Sequence, residues 1–464
     1  MSGHSDATSR PTLAVVGGGP AGLAAASLAA EHGLRVEVFE ARRQLGGRAG
    51  SFVDPRTGRA VDYCQHVSMG CCTALADFCR RTGTTDCFRP YRRLHFFSPE
   101  GVRYDFAPSR WLPAPLHLLP ALMRLGYLTL GERLAIVRGL GQLVRTPLGR
   151  DPGRQADEPA GPWLRRHGQS PRVIERFWSV VLLSALSETV DNASLAAARK
   201  VFADGFLASQ HAYELLVPEV PLGELFDRRV GAWLAEHGVV VHRHTRIRRI
   251  EGDARRATGL VLADGTRRRF DSVVVAVPWQ RVRSILCEAL LAALPELEGV
   301  DHLRPAAITA VHLWFDRPIM PWPHAALVGR RSQWVFRGHQ SADAAETSPE
   351  HYYQVVISAS HAAPPLPRSE LVAEVCRELA ATFPEAAQAT MLHARVVTHP
   401  AAVFSVRPGV DRFRPPQQTA VENLALAGDW TSTGWPATME GAVRSGYLAA
   451  ESILRSRGLS LDAG

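Results

Sequence analysis

The sequence is almost devoid of lysine. Lys200 is the single lysine among 53 basic residues in a chain of 464, so the net charge of +8 comes from arginine. Cysteine is scarce too: the seven thiols are odd in number, include no CxxC pair and lack histidines at zinc-finger spacing. The pattern favours reduced thiols in a cytosolic protein over a disulfide framework, and it predicts no metal site.

Long apolar runs are also missing. No uncharged apolar run reaches the length of a transmembrane helix, and residues 1–11 lack the apolar core of a signal peptide, so we expect a cytoplasmic protein. No internal repeat is recognisable, and no module interleaves aromatic with basic residues, which argues against nucleic-acid binding. With 46% hydrophobic and 21% charged residues, a chain of this length predicts about two to three globular domains.

A glycine-rich turn joins a short apolar strand to a helix near the N-terminus. The segment begins at Leu13 and continues Ala-Val-Val-Gly-Gly-Gly-Pro-Ala-Gly. Gly17 makes the tight turn, Gly19 lets the backbone approach a pyrophosphate, and Gly22 lets the helix pack on the strand. Glu40 closes the next apolar strand, where its carboxylate can bind both ribose hydroxyls. Because that charge would repel a 2′-phosphate, the turn predicts FAD or NAD rather than NADP.

A second glycine pair follows the acid. Leu45-Gly46-Gly47-Arg48 is similar to an element that flavoproteins of the amine oxidase and desaturase kind carry at this place, although Gln44 stands where they usually have another arginine. Two glycines let the chain pass close to a cofactor, and Arg48 can offer a charge-assisted fork to the diphosphate. The element favours FAD over NAD.

The far end of the chain predicts a second contact with the same cofactor. A short apolar strand from Leu424 ends in Gly428-Asp429, and a helix with small residues at its start begins near Thr438. A helix N-terminus would place positive dipole near the flavin pyrimidine ring, which gains negative charge on reduction. Asp429 would bond to the ribityl or diphosphate region.

Strand and helix patterns predict an α/β fold, in which a Rossmann-type FAD-binding domain carries an inserted α+β substrate domain. The FAD-binding domain is predicted to be discontinuous, from residues 11–75, 215–290 and 415–458. The substrate domain takes residues 76–214 and 291–414, with a helical part at 110–212 and a Pro/Gly-rich linker at 146–162. We read residues 214–226, which contain two prolines, as a loop that leads into a helix.

The helical part carries an unusual charge pattern. Between residues 110 and 150, six arginines face a single acid, Glu132, and leucine is abundant. Apolar, cationic and nearly acid-free segments suit an anionic bilayer surface. Peripheral contact with the inner face of the cytoplasmic membrane is therefore one interpretation, and a core helical pair with an arginine-lined exterior is the other.

Four stretches resemble the hydroxysqualene dehydroxylase family, squalene-associated flavoproteins close to the phytoene desaturases and more distantly related to flavin amine oxidases. They are the N-terminal fingerprint with Leu45-Gly46-Gly47-Arg48, residues 61–70, residues 308–318 and residues 426–446. Tyr63-Cys64 departs from the Asn-Gly that we expect before Gln65-His66. The predicted cofactor-binding residues are Gly17, Gly19, Ala21, Gly22, Glu40, Gly46, Gly47, Arg48, Ile247, Gly428, Asp429, Met439, Gly441 and Ala442.

The resemblance implies reductive removal of the hydroxyl of hydroxysqualene, a long apolar isoprenoid, with reduced FAD as hydride donor. An allylic alcohol ionises once its hydroxyl is protonated, so the site needs a proton donor and must exclude water. His66, oriented by Asp62, is the predicted donor, and Glu440 is the second candidate. Trp430 and Trp435 are predicted to line the substrate cavity and to stabilise the transient cation with their aromatic faces.

Other functions stay open at this point. A polyene desaturase would use oxidised FAD to take hydride from an isoprenoid, and a non-catalytic FAD-binding escort could shield squalenoids at the bilayer with the same cavity. An amine oxidase is disfavoured, since those enzymes place a lysine near the flavin and Lys200 lies in a helical stretch far from the flavin motifs. The external electron donor is unknown, because the chain has no second nucleotide fingerprint.

Overall fold

The structure, a computed structural model, describes residues 10–146, 157–338 and 350–459. Residues 1–9 and 147–156 lie outside the described residues, and the second range contains Arg150 and most of the predicted linker at 146–162. The end of that predicted linker is helical, because a helix begins at Ala160. Within these ranges the strands are β1 (Thr12–Val16), β2 (Arg35–Phe39), β3 (Ser51–Val53), β4 (Ala60–Asp62), β5 (Ser68–Met69), β6 (Phe88–Tyr91), β7 (Leu94–Phe97), β8 (Arg103–Phe106), β9 (Leu215–Pro218), β10 (Val240–His242), β11 (Ile247–Gly252), β12 (Ala257–Leu262), β13 (Arg267–Arg269), β14 (Ser272–Val275), β15 (Pro305–Phe315), β16 (His324–Leu327), β17 (Trp334–Arg337), β18 (His351–Ile357), β19 (Met391–Phe404) and β20 (Leu424–Leu426).

Over the same ranges the α-helices are α1 (Pro20–Glu31), α2 (Thr73–Arg81), α3 (Leu119–Met123), α4 (Leu130–Arg145), α5 (Ala160–Arg166), α6 (Pro171–Val173), α7 (Ser179–Leu186), α8 (Leu195–Phe202), α9 (Val230–Glu236), α10 (Trp279–Val282), α11 (Glu288–Ala292), α12 (Arg368–Thr382), α13 (Pro384–Gln388) and α14 (Met439–Ser456). Three segments have the wider π-helical turn, Ile174–Trp178, Ala203–Leu207 and Glu224–Arg229.

A parallel sheet gathers strands from three separate parts of the chain, in the order β10-β2-β1-β14-β20. β1 lies at its centre and pairs with both β2 and β14. The central strands are apolar and almost wholly buried, as expected for a parallel sheet covered on both faces. The predicted α/β, Rossmann-type fold is confirmed, while the exact domain boundaries stay a prediction.

The helices from the two chain ends, α1 and α14, pack directly on each other. A Cβ added at Gly446 would lie 2.1 Å from the Ala21 carbonyl oxygen and 2.9 Å from the Ala24 Cβ, so only glycine permits this approach. The contact faces of both helices are built from small residues, and eight consecutive positions of α1 from Gly22 to Ala29 are buried. Close packing of the two helices therefore places both N-termini beside the same edge of the sheet.

A second, seven-stranded sheet has the order β19-β15-β18-β17-β16-β7-β8. Helix α12 covers one of its faces, where Val375 and Leu379 pack in a cluster with Val311 and Tyr353. Helices α3 to α8 form a separate apolar cluster around Trp178. The site described below lies between this helical cluster, the seven-stranded sheet and the parallel sheet.

The structure corrects one sequence interpretation. Residues 214–226 are not simply a loop into a helix, because they contain β9, which pairs with β5 on one side and β6 on the other. Pro218 is the last residue of β9, a position where the missing amide does little damage to a ladder. Both neighbours are very short strands, so no run of alternating residues marked this sheet in the sequence.

Candidate active site

A cavity of about 620 Å³ opens at the carboxyl ends of the parallel strands. Its wall includes Val16 at the end of β1, Phe39 at the end of β2, Ala276 after β14 and Gly428 after β20. Ligands of open parallel sheets bind at this edge, where loops rather than strands carry the contacts. The cavity lies within the volume range of about 300–1,000 Å³ usual for ligand sites.

The glycine turn after β1 has the geometry of a pyrophosphate-binding loop. Gly17 has a φ of +115°, and a Cβ there would lie 2.3 Å from the Ala276 carbonyl oxygen. At Gly22 a Cβ would lie 1.9 Å from the Gly17 carbonyl oxygen, so this residue serves the packing of α1 on the turn. A Cβ at Gly19 meets no atom within 4 Å, so the space before the α1 N-terminus is open to an anionic group.

Glu40 is held in place by the backbone on both carboxylate oxygens. The Gly18 amide donates to Oε2 at 2.7 Å, and the Arg42 amide donates to Oε1 at 2.8 Å. The side chain is buried yet lies in the cavity wall. A carboxylate oxygen accepts more than one hydrogen bond, so each remains able to receive a ribose hydroxyl.

An ion pair links the motifs of the two chain ends. The Arg48 guanidinium donates to Asp429 Oδ1 at 2.5 Å and to the Ala402 carbonyl oxygen at 2.7 Å. Arg48 and Asp429 both lie in the cavity wall. A guanidinium carries five donor hydrogens, so Arg48 keeps donors for a diphosphate while it positions Asp429.

Helix α14 presents its N-terminus to the same cavity. The Thr438 hydroxyl accepts from the Gly441 amide at 3.1 Å and caps the helix, and Met439 and Ala442 lie in the cavity wall. Gly428, which precedes this segment, has a φ of +148° and donates its amide to Ser445 Oγ at 2.7 Å. The positive end of the α14 dipole therefore points toward the cavity, as that of α1 does.

Most of the predicted cofactor residues lie in the cavity wall. They are Gly17, Gly19, Ala21, Glu40, Gly47, Arg48, Ile247, Gly428, Asp429, Met439 and Ala442. Gly22, Gly46 and Gly441 lie behind the wall, where each lets backbone segments approach closely. The open cradle at Gly19, the held carboxylate of Glu40 and the two helix N-termini fit FAD, and these residues would hold its ribose, diphosphate and flavin ends.

Four basic residues of this wall were not predicted from the sequence: Arg42, Arg246, Arg281 and His399. Arg42 lies two residues after Glu40 and donates to the Gly47 carbonyl oxygen at 3.0 Å. His399 comes from β19, in the other sheet, and its Nδ1 accepts from the Ala401 amide. Burial, together with the charges of Arg48 and Arg42, lowers the pKa of His399, so this wall residue is neutral at physiological pH. No local motif surrounds His399 that could have marked it.

His66 lies in the wall of the cavity that also contains the cofactor-binding residues and several apolar side chains. The ring Nδ1 donates to the Cys64 carbonyl oxygen at 2.8 Å, which leaves Nε2 as the atom that can take up a proton. Burial lowers the pKa of His66, while the Cys64 carbonyl and the Asp62 carboxylate act in the opposite direction. Burial also raises the pKa of the neighbouring Cys64 thiol to about 12, so that thiol stays protonated.

Asp62 acts on His66 through its charge, and the hydrogen bond that fixes the ring comes from elsewhere. Asp62 is buried, and its Oδ1 accepts from Ser51 Oγ at 2.6 Å and from the Leu222 amide at 2.8 Å. The ring Nδ1 of His66 is taken by the Cys64 carbonyl. The predicted orienting role of Asp62 is thus corrected: it ties the β3–β4 hairpin to residue 222 and raises the pKa of His66 electrostatically.

Glu440 is placed differently from the sequence prediction. It is buried, does not lie in the cavity wall, and caps helix α2 by accepting from the Ala74 amide at 3.1 Å and the Leu75 amide at 2.8 Å. Arg444, one turn further along α14, adds a contact of 3.3 Å. Its carboxylate joins α14 to α2, so a role as proton donor at the cavity is wrong for this residue.

Of the two tryptophans predicted to line the cavity, one lies in its wall and the other does not. Trp430 lies in the cavity wall, fully buried, and its indole N–H donates to the Val277 carbonyl oxygen at 2.9 Å. Trp435 does not lie in the wall of this cavity, and its ring is covered by Lys200, whose Nζ is 4.6 Å from the ring centre. Lys200 therefore contacts the C-terminal flavin motif, and the prediction that it is far from that motif is wrong. The Lys200 amine pairs with Asp204 at 2.6 Å and does not lie in the cavity wall.

The apolar segment of the cavity is lined by aromatic side chains that the sequence analysis missed. They are Phe96 on β7, Trp334 and Phe336 on β17, and Tyr213 before β9. Their polar atoms are already bonded, since Trp334 Nε1 donates to Ser184 Oγ and Tyr213 Oη donates to the Arg92 carbonyl oxygen, both at 2.8 Å. This part of the wall therefore has few free polar atoms that could hydrogen-bond to water. The residues alternate on short strands, which is also the pattern of ordinary core positions.

Comparison with known proteins agrees with this geometry. The sequence profile of the family "Flavin containing amine oxidoreductase" matches residues 20–454. A protein of Rhodopseudomonas palustris named hydroxysqualene dehydroxylase is 29% identical over 456 residues, covering 96% of this chain and 98% of its own. A protein of Synechocystis named zeta-carotene desaturase is 26% identical over 484 residues, covering 96% and 97%. The crystal structure of an oxidoreductase from Methanosarcina mazei covers 96% of this chain and 100% of its own, with a TM-score of 0.71 at 16% identity.

These matches settle the cofactor and the general activity. The predicted resemblance to hydroxysqualene dehydroxylases is confirmed, and a carotene desaturase matches to a similar extent. The cofactor is FAD, and the protein is an FAD-dependent oxidoreductase. The profile extends over nearly the whole chain, from the first residue of α1 into the last turn of α14. The chain therefore belongs to the flavin-containing amine oxidoreductase family.

Proposed function

We propose that this protein removes the hydroxyl of hydroxysqualene reductively and releases squalene. The observation that carries the proposal is that His66, an ionisable group, shares the wall of one cavity with the FAD-binding residues and with aromatic side chains whose polar atoms are already bonded. Relatives named hydroxysqualene dehydroxylase, 26% to 29% identical and matched over nearly their full length, support this substrate.

The reaction consumes one proton and one hydride for each carbon–oxygen bond that breaks. Protonation converts the hydroxyl into water as leaving group, and the allylic carbon then gains hydrogen in place of oxygen. FAD, when bound in its reduced form, supplies the hydride. The proton has to come from the protein, because the aromatic wall at the reacting end excludes bulk water.

His66 is suited to hold that proton. Its Nδ1 is committed to the Cys64 carbonyl, so the proton that reaches the substrate is the one carried on Nε2. The lowered pKa makes the protonated ring a stronger acid than free imidazole, which favours transfer to an alcohol. The Cys64 thiol stays neutral and does not compete as a nucleophile for the allyl cation.

We also propose that the helical region contacts a membrane surface. Its exposed apolar side chains are Trp111, Leu116, Leu130, Leu134, Val137 and Val144, and arginines such as Arg110, Arg124 and Arg138 lie in the same stretch. This combination suits an anionic bilayer, from which an apolar substrate can be drawn. Among the described residues, no helix has the length and apolar character required to cross a bilayer.

A carotenoid-type desaturase is the second candidate, favoured by the match to zeta-carotene desaturase over 96% of the chain. The direction of electron flow distinguishes the two functions. A dehydroxylase in its reduced form converts hydroxysqualene to squalene, whereas a desaturase in its oxidised form dehydrogenates phytoene or zeta-carotene. Both assays use the same holoenzyme under anaerobic conditions, with products identified by mass spectrometry.

The test of the proposal combines this assay with one variant pair. We expect reduced wild-type enzyme to form squalene, and His66→Ala to retain FAD but lose most of this activity. His237→Ala is the matched control, because His237 also donates Nδ1 to a backbone carbonyl, at 2.8 Å, but is exposed and outside the cavity. Carotenoid turnover without squalene formation would replace the proposal with the second candidate. An enzyme whose reduced flavin is untouched by hydroxysqualene would instead be a non-catalytic escort.

A further inference from the structure

A second apolar cavity, of about 670 Å³, adjoins the first one inside the helical region. The two charged side chains in its wall are Arg145 and Arg176, and the other lining residues are almost all aliphatic or aromatic. We call this space the helical chamber and define it by residues of α3, α4, α7 and the segment Ala203–Leu207, including Leu122, Leu140, Val180 and Phe206. Neither the sequence motifs nor the proposed proton donor uses it.

A thin wall separates the helical chamber from the FAD cavity. Phe96, Val180, Val181 and Phe206 line both spaces. Val180 and Val181 lie in the first turn of α7, which follows the π-helical segment Ile174–Trp178, and Phe206 lies inside the π-helical segment Ala203–Leu207. Such widened turns are rare and often accompany functional sites. The partition is therefore built from a few side chains on two locally irregular helices.

We propose that the helical chamber holds one apolar arm of the substrate while the other end of the same chain reacts at His66, so that its free depth sets the chain length that the enzyme accepts. The inference rests on the proposed function for the identity of the substrate. The hydroxyl of hydroxysqualene lies near the middle of the chain, and apolar arms extend from it on both sides. The FAD cavity must hold both the nucleotide and the reacting carbon of the substrate. An apolar arm of hydroxysqualene therefore needs additional apolar space on the other side of Phe206.

The outer side of the helical chamber reaches the protein surface. Leu116, Val137 and Val144 line it and are 52%, 36% and 37% exposed, respectively. Arg145, also in the wall, lies at the end of α4 beside this opening. The chamber thus connects the apolar surface of the helical region with the partition at Phe206. A long chain can enter from that surface without crossing polar protein.

Gly141 offers a way to fill the chamber without disturbing the fold. It lies on α4 and in the chamber wall, and a Cβ there meets no atom within 4 Å. Gly141→Phe therefore puts a ring into open space and also removes a residue with poor helix propensity. Gly131→Phe is the matched control, since Gly131 lies on the same helix, also has open space around a Cβ, and lines neither cavity.

The experiment measures binding and turnover on the same holoenzyme preparations in detergent. The ligands are squalene and hydroxysqualene as long chains and farnesol as a shorter allylic alcohol. Binding is followed by the change in flavin absorbance during titration. We expect Gly141→Phe to weaken binding of the long chains by about tenfold or more, the scale on which filled apolar pockets discriminate, while farnesol changes by less than about twofold and Gly131→Phe matches the wild type.

The outcomes separate the inference from the proposed function. Unchanged long-chain binding in a Gly141→Phe protein that keeps its FAD overturns the inference, even if squalene is still formed. Length-dependent loss of binding without any squalene formation by the wild type overturns the proposed function and supports the chamber. If Gly141→Phe fails to retain FAD, Ala203→Phe fills the chamber from a different helix and decides the same question.

Discussion

Glu440→Gln is the substitution that most sharply separates a structural carboxylate from a catalytic one. Glu440 receives the Ala74 amide on one oxygen and the Leu75 amide on the other, at 3.1 and 2.8 Å. Glutamine has one carbonyl oxygen and an NH2 group, so one of these two amides loses its acceptor and faces a donor. The side chain is buried, and water therefore does not replace the lost bond.

The magnitude follows from these contacts. A buried donor without an acceptor costs about 1–3 kcal/mol. Loss of the negative charge at the N-terminus of α2 adds about 0.3–1 kcal/mol. The ion pair with Arg444, whose side chain is 37% exposed, adds at most about 0.5 kcal/mol because solvent screens it. We expect a decrease of about 1–4 kcal/mol in the free energy of unfolding.

The assay is thermal unfolding followed by release of flavin fluorescence, with steady-state kinetics well below the transition. We expect Glu440→Gln to lower Tm and to leave kcat and KM for hydroxysqualene close to those of the wild type. Glu451→Gln is the control on the same helix, because Glu451 pairs with Arg455 at the surface and its loss should cost less than about 0.5 kcal/mol. An unchanged Tm with activity reduced by orders of magnitude would refute the reasoning and return Glu440 to the catalytic site.

Two further predictions test His66 and the contact between the chain ends. Because burial lowers the pKa of His66 below its ordinary value of 6.5, its protonated fraction grows as the pH falls, so kcat/KM measured from pH 8 to pH 5 with constant flavin reduction should rise toward acid. His66→Gln should remove this rise, and an identical profile in the variant would exclude His66 as the proton donor. Gly446→Val should force α1 and α14 apart, lower Tm by the equivalent of about 1–3 kcal/mol and reduce FAD retention. Leu448→Val is the control, because Leu448 lies at an exposed position of the same helix, and it should change neither Tm nor FAD retention. Full FAD retention at an unchanged Tm in Gly446→Val would contradict the close contact between the helices.

The cofactor half of the site could be predicted from the sequence because its signals are local. Gly17, Gly19 and Glu40 act within one strand–turn–helix–strand unit, and the backbone geometry of each position is fixed by its immediate neighbours. The C-terminal Gly428-Asp429 could be assigned to the same ligand for the same reason. No local sequence pattern predicts the ion pair between Arg48 and Asp429. The pair can be expected only once both motifs are assigned to the same bound molecule.

The substrate half was harder to predict, since it depends on long-range packing. Phe96, Trp334 and Tyr213 belong to elements that meet only in the folded protein, and in the sequence they look like core residues. Glu440 caps a helix that lies 365 residues earlier, and a carboxylate in the first turn of α14 gave no indication of that partner. Lys200 reaches Trp435 across the fold in the same way.

The most direct test of the central claim is a single-turnover measurement with anaerobically reduced holoenzyme and hydroxysqualene. Flavin absorbance reports oxidation, and samples quenched at the same times report squalene. We expect squalene and oxidised flavin to appear together, in equal amounts and at the same rate, and both to form more slowly in His66→Ala. Flavin that stays reduced in the presence of hydroxysqualene, or that oxidises without formation of squalene, would show that the enzyme does not reduce hydroxysqualene to squalene.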